Sequence, residues 1–191
     1  NIMDTIPVQT TYGIKIGIDI SKQIRMLTEP NYKGLVISGD YRILERLFIA
    51  AEFGSEEKKV TNEVLDFNTK GNFLKIGVNY NVYNNRKGMD NEIYVGFRYS
   101  LGNFEHKLNS YTIYDLDHYW NQNTVNDISD FKNLTASWFE LILGFNAEVF
   151  NNTFMGISLR LNRLLNQERP ENFSNLYIPG FNKVLEENNF G

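Results

Sequence analysis

His106 is the side chain best suited to chemistry in this chain: an imidazole exchanges a proton near neutral pH, and a hydroxyl, Ser110, follows four residues later. A histidine base beside a serine nucleophile is the arrangement expected of a small lipid hydrolase or acyltransferase. Spacing weighs against it. On an extended strand the two side chains share a face but stand about 13 Å apart at roughly 3.3 Å per residue, too far for direct proton transfer. In an irregular loop the sequence leaves them unplaced, and the second histidine, His118, falls in the same segment. Metal binding has an equally thin basis, because Asp115, Asp117, His118, Asp127 and Asp130 cluster without the spacing of a calcium loop and the chain has no cysteine. The reading is non-enzymatic: no catalytic residue, no metal and no cofactor are assigned.

The elements that carry these residues are legible from alternation. Residues 12–20 run Tyr-Gly-Ile-Lys-Ile-Gly-Ile-Asp-Ile, with isoleucine on one face and glycine or charge on the other, which is the period of a strand. The same pattern predicts strands over 35–42, 47–54, 73–82, 92–101, 138–149 and 153–162, and no helix. Pro7, Pro30, Pro170 and Pro179 all fall outside these segments, where a missing N–H breaks no ladder. Connections alternate short (43–46, 83–91, 150–152) and long (21–34, 55–72, 102–137 and from 163 onward). A transmembrane barrel sorts its loops in this way, with turns at the periplasmic end and long loops at the cell surface. The 191 residues are 42% hydrophobic, which excludes a disordered chain, and they lack an apolar run long enough for a membrane helix. A net charge of −4 without a basic block sets nucleic acid aside as a partner.

One face of the predicted strands is uncharged and includes Ile14, Ile16, Ile18, Ile37, Ile49, Phe53, Ile76, Val95, Leu143 and Ile157. The other carries Lys15, Asp19, Asp40, Arg42, Glu52, Lys75, Glu92, Arg98, Glu140, Glu148 and Arg160, six acids and five bases whose near-balance predicts mutual pairing in a lumen. Glu52 is expected to form a luminal ion pair, direct or bridged by water, with Lys75, and Glu140 with Arg98 and Arg160. Gly77, Gly96, Gly144 and Gly156 lie on that face, where they are expected to make room for charged chains from the opposite wall. Tyr12, Tyr41, Tyr80, Tyr83, Tyr99, Trp138 and Phe150 sit near strand ends, as an aromatic girdle would. The run Glu56-Glu57-Lys58-Lys59 reads as a solvated loop tip. The fold expected is a single all-β domain over 1–191, an antiparallel up-and-down transmembrane β-barrel of eight strands with seven visible. A soluble lipocalin-like barrel with an apolar ligand cavity is the alternative.

Tyr12 to Ser21, Gly39-Asp40-Tyr41-Arg42, Tyr94-Val95-Gly96-Phe97-Arg98-Tyr99, Ser158-Leu159-Arg160-Leu161-Asn162-Arg163 and Asn175-Leu176-Tyr177-Ile178-Pro179-Gly180-Phe181 together resemble an uncharacterised family of outer-membrane β-barrel proteins from Bacteroidota. The resemblance implies an outer-membrane location, lipid as a partner, and a further amphipathic strand after Gly191. It implies no activity. The functional expectation is a structural or interaction component of the cell envelope, in contact with other envelope proteins, with a lipid-modifying enzyme as the rival. The segment from Arg169 to Phe181 combines two prolines with Phe173, Leu176, Tyr177 and Phe181, an unusual composition for a solvated loop. Two readings of it stand: a lid over the lumen, or aromatic anchors for a neighbouring protein.

Overall fold

The computed structural model describes residues 13–61, 65–84, 90–113, 123–125, 129–169 and 175–184. In chain order its elements are β1 (Ile14–Ile18), α1 (Ile20–Thr28), β2 (Tyr32–Arg42), β3 (Leu47–Thr61), β4 (Leu65–Asn81), β5 (Glu92–Ile113), β6 (Asn123–Val125), β7 (Ser129–Phe150), β8 (Thr153–Gln167), β9 (Tyr177–Ile178) and β10 (Asn182–Lys183). The protein is all-β in the sense expected: an antiparallel meander in the order β1-β2-β3-β4-β5-β7-β8, with β6 pairing the far end of β5. β9 and β10 form a separate hairpin.

Two sequence expectations need correction. Residues 20–28 are helical, with Asp19 as the N-cap: its Oδ1 accepts from the Ser21 backbone N–H at 3.0 Å. Asp19 therefore starts a helix, from where its carboxylate also stands within electrostatic reach of Arg160. The second correction is length, because β4, β5 and β7 run to 17, 22 and 22 residues, well past the segments that alternation marks.

The extra length follows a change of phase. Toward the short-turn end, apolar side chains point outward: Ile16 is 79% exposed and Ile157 77%, and Ile49, Ile76, Val95 and Leu143 are exposed with them. Toward the long-loop end the pattern inverts, and Phe67, Phe73, Phe104, Leu108, Leu134 and Leu164 point inward and are buried. The boundary is level across β3, β4, β5 and β7, whereas on β2 the apolar row reaches Leu35, the partner of Ser55. Ser55, Asn72, Asn103 and Thr135, all exposed, are successive register partners on β3, β4, β5 and β7. One register step below them, Phe53, Leu74 and Leu101 form the last apolar tier. Above them the outward residues are polar, including Lys70, Glu105 and Lys107.

The sheet curls enough for β1 and β8 to approach: the Lys15 ammonium lies 4.1 Å from the Phe154 ring centroid. No ladder joins these two strands among the described residues, and the meander makes them run in the same direction. Glycines on the inner face do not accommodate charges from the opposite wall. A Cβ at Gly144 would stand 2.1 Å from Tyr94, and one at Gly54 2.2 Å from Phe73, in each case the ring of the directly paired residue on the next strand. Gly54 and Gly144 thus give room for rings to lie flat against the wall, Gly96 and Gly156 for the side chains of Asn79 and Asn146 on the paired strand, and Gly77 for close approach of the Phe97 backbone.

Candidate functional site

The interior enclosed by the strands divides into two zones stacked along the sheet. The lower zone is ionic. Near the short turns, Lys15 on β1 meets Glu92 on β5 at 2.7 Å and Asp90 at 3.4 Å, while Arg42 on β2 meets Asp90 at 2.7 Å. Asn146 donates to the second Glu92 oxygen at 3.0 Å, and Asn79 donates to Asp40 at 3.3 Å. These contacts tie β1 to the far wall.

Higher in the same zone, five of the charged residues form one connected network. Glu52 accepts from Arg160 at 2.8 Å and faces Arg98 at 3.5 Å. Glu140 meets Arg160 at 3.2 Å and Lys75 at 2.5 Å, and it also accepts from the Trp138 indole N–H at 2.7 Å. Such groups lose several kcal/mol of hydration each on burial, which pairing must offset. Of the expected pairs, Glu140–Arg160 forms. Glu52 and Lys75 are register partners, yet Lys75 turns to Glu140 and Glu52 to the two arginines. The physical reason is curvature: charged side chains on the inner face of a strongly curled sheet reach across the lumen and are not confined to the adjacent strand. Glu148 stands apart from the network, accepting from the Asn152 backbone N–H at 2.9 Å in the turn between β7 and β8. Trp138 is fully buried among core residues, so it is no part of a girdle, whereas Tyr41, Tyr80, Tyr83, Tyr99 and Phe150 are exposed.

The upper zone is filled by the β9–β10 hairpin. Phe181 and Ile178 are 0% exposed and pack with Val36, Phe73, Phe104, Trp138, Leu164 and Val184. The Phe181 ring meets Trp138 edge-on at 5.9 Å. Gly180 turns the hairpin at φ +82°, the left-handed region that glycine occupies without strain, and a Cβ there would strike Phe73 at 2.5 Å. Polar latches hold the hairpin to the walls. Glu56 accepts from the Tyr177 hydroxyl at 2.6 Å and from the Gly180 N–H at 3.1 Å, and pairs with Lys22 of α1 at 2.7 Å. Lys75 donates to the Gly180 carbonyl at 3.2 Å, and Asn162 to that of Phe181 at 3.3 Å. Burial opposes ionisation of Glu56, but Lys22, Tyr177 and Gly180 outweigh it and hold the carboxyl below its ordinary value.

Of the four loop residues singled out in sequence, Tyr177 and Phe181 are thus interior anchors of a lid, which removes them as free docking residues. Leu176 is partly exposed, and Phe173 lies outside the described residues. The sequence reading missed Glu56, which is buried on β3 and not at a loop tip. Its signal was present: Glu56 and Lys58 share one face of an extended chain, Glu57 and Lys59 the other.

His106 is 1% exposed on β5, between Phe67 and Phe104. Its Nδ1 accepts from the hydroxyl of Thr69, its register partner on β4, and its Nε2–H donates to Asn175 Oδ1 at 2.9 Å. Those partners assign the neutral Nε2–H tautomer. Burial pushes the imidazole pKa down to about 4. Hydroxyl, imidazole and amide stand in the order of a nucleophile, base and orienter, but Thr69 is itself 0% exposed and faces packed protein. The arrangement fastens the lid at Asn175, whose amide also donates to Gln167 at 2.9 Å and to the Glu168 carbonyl at 2.7 Å. The side chain of Ser110, and residues Asp115, Asp117, His118 and Asp127, lie outside the described residues; Asp130 is exposed on β7.

No curated protein and no solved structure matches the chain. A seven-stranded meander with an ionic lower lumen and a hairpin-filled upper one is what the described residues build, and residues 1–191 as a whole match one family model, so the chain belongs to the family described as a domain of unknown function, DUF6048.

Proposed function

We propose that this protein is an integral β-barrel of the bacterial outer membrane, as the likeness of its sequence to Bacteroidota barrels implies, and that it serves the envelope as a plugged structural and interaction component. One observation carries the reading: a band of large apolar side chains faces outward on the seven strands, with Arg163 as the charged residue among them, while the network of ionised groups faces inward, and on β3, β4, β5 and β7 the band ends at the level row of Ser55, Asn72, Asn103 and Thr135. Water would favour the reverse arrangement at each of these strands, whereas hydrocarbon favours this one. The polar strand extensions then stand above the membrane with the lid. Completion of an even-numbered antiparallel barrel calls for one descending strand between β8 and β1.

The filled interior supports a role other than passage of solutes. Ionic cross-links occupy the lower lumen and the hairpin occupies the upper one. Partners on this reading are outer-membrane lipid at the band and other envelope proteins at the upper rim. The test is fractionation: the protein should remain with outer membranes after carbonate washing, need detergent for extraction, and run faster on a gel before boiling than after. Recovery in the aqueous fraction without detergent overturns the proposal.

A further inference from the structure

The helix α1 has its polarity turned inside out, as the strands below it do. At about 100° per residue, Ile20, Ile24 and Leu27 fall within about 60° of one another, and Lys22, Arg25 and Glu29 fall on the opposite side. The structure shows where each side goes. Lys22 reaches inward to Glu56 at 2.7 Å; the Arg25 guanidinium stacks over Tyr32 at 4.0 Å and donates to Asn182 of the lid at 3.3 Å. Arg25 and Lys58 both pair with Glu29. The charged side thus closes over the barrel mouth. The opposite side is bare: Ile20 is 56% exposed, Ile24 57% and Leu27 87%.

We infer that α1 is an interfacial helix whose Ile20–Ile24–Leu27 stripe enters the headgroup–acyl boundary of the membrane, and this rests on the membrane reading given above. Continuity identifies the occupant as lipid. The stripe prolongs the outward row Ile14, Ile16 and Ile18 of β1 and lies beside the outward Leu35 and Ile37 of β2, the same surface that the strand band presents. A stripe three side chains long is far short of the roughly 800 Å² per partner that a stable protein interface buries. Lipid has no such threshold, because affinity for the boundary grows with each apolar group inserted. With its cations engaged by Glu56 and Glu29, and the exposed Ser21 and Thr28 hydroxyls donated to Asp19 and to the helix's own carbonyls, the outer side of α1 presents no charged group to the boundary.

The absence of cysteine makes the test direct. Single variants Leu27→Cys, Ile76→Cys and Lys107→Cys of the full chain, reconstituted in phosphatidylcholine vesicles and checked for folded gel mobility, are labelled with a polarity-sensitive fluorophore. Quenching is then compared between lipids spin-labelled at the headgroup and lipids labelled deep in the acyl chain. Position 76 should be quenched most by the deep label and position 107 by neither. Position 27 should be blue-shifted and quenched by the headgroup-level label at least about twofold more than position 107. If position 76 also reads water, the membrane reading fails and α1 with it. If position 76 reads lipid while position 27 matches position 107, the membrane reading survives and the α1 inference is overturned, leaving the stripe as a surface for a protein.

Discussion

Lys75 on β4 and Glu140 on β7 hold their charges 2.5 Å apart in the interior, although β5 lies between their strands. The pair is a strut across the curl of the sheet. Lys75→Met should leave Glu140 with Arg160 as its one remaining ionic partner among the described residues and cost up to about 3–5 kcal/mol. Adding Glu140→Gln to that variant should restore part of the loss, since the double change removes both charges. Urea unfolding in detergent micelles checks both values; additive losses would show that the two residues do not act as a pair.

Tyr177 links the lid to Glu56 by a hydrogen bond to a carboxylate. Tyr177→Phe should therefore cost about 1.5–3 kcal/mol of local stability. Hydrogen exchange is the discriminating measurement, with residues 175–184 expected to lose protection while the amides of β3 and β4 below the Ser55 ring keep theirs.

Acidification should loosen the lid in two steps. His106 has a folded-state pKa of about 4 against an ordinary 6.5, so the folded state resists a proton that the unfolded chain accepts. Its contribution is complete above pH 6.5 and declines as pH falls toward 4, by about 3 kcal/mol in total at 1.36 kcal/mol per unit. Glu56, held below its ordinary 4.5, contributes stability above that value and loses it only as pH drops through its lower folded-state pKa. His106→Gln should flatten the upper step alone. A stability profile in which the variant keeps the slope between pH 6.5 and 4 would contradict this assignment.

Ile76→Arg places a cation in the middle of the outward band. Near the midplane of a bilayer the cost should be about 2–4 kcal/mol, read as a lower midpoint in urea-driven unfolding from lipid vesicles. Lys107→Ala, above the polar ring, should change the midpoint by under about 0.5 kcal/mol.

The strands below the ring were legible because a period of two with isoleucine on one face leaves little choice of element or face. Their upper halves were not, and the cause is visible at Phe73-Leu74. Phe73 faces inward and Leu74 outward, so two apolar residues adjoin where the pattern changes phase, and the alternation breaks although the strand does not. The helix was missed because Ile20 and Ile24 continue a run of even-numbered isoleucines; their wider spacing with Leu27 marked a helical stripe. Trp138 was read as a girdle residue because strand ends were placed too early. The ionic network was legible as a set of residues but not as a set of pairs, since partner choice depends on how tightly the sheet curls.

The hairpin that fills the upper core is the last described element of the chain, while the walls it fills begin at Val36. The Tyr177–Glu56 and Gly180–Lys75 contacts span 121 and 105 residues of sequence. Contacts of such long separation come late and make folding slow, because the entropy of closing the intervening loop is lost before any contact rewards it. During synthesis the strands β1 to β8 are therefore available before their filling arrives, and the inward Phe73, Phe104 and Trp138 remain without their packing partners. A chain that has not reached Phe181 has the strands β1 to β8 but a hollow upper half.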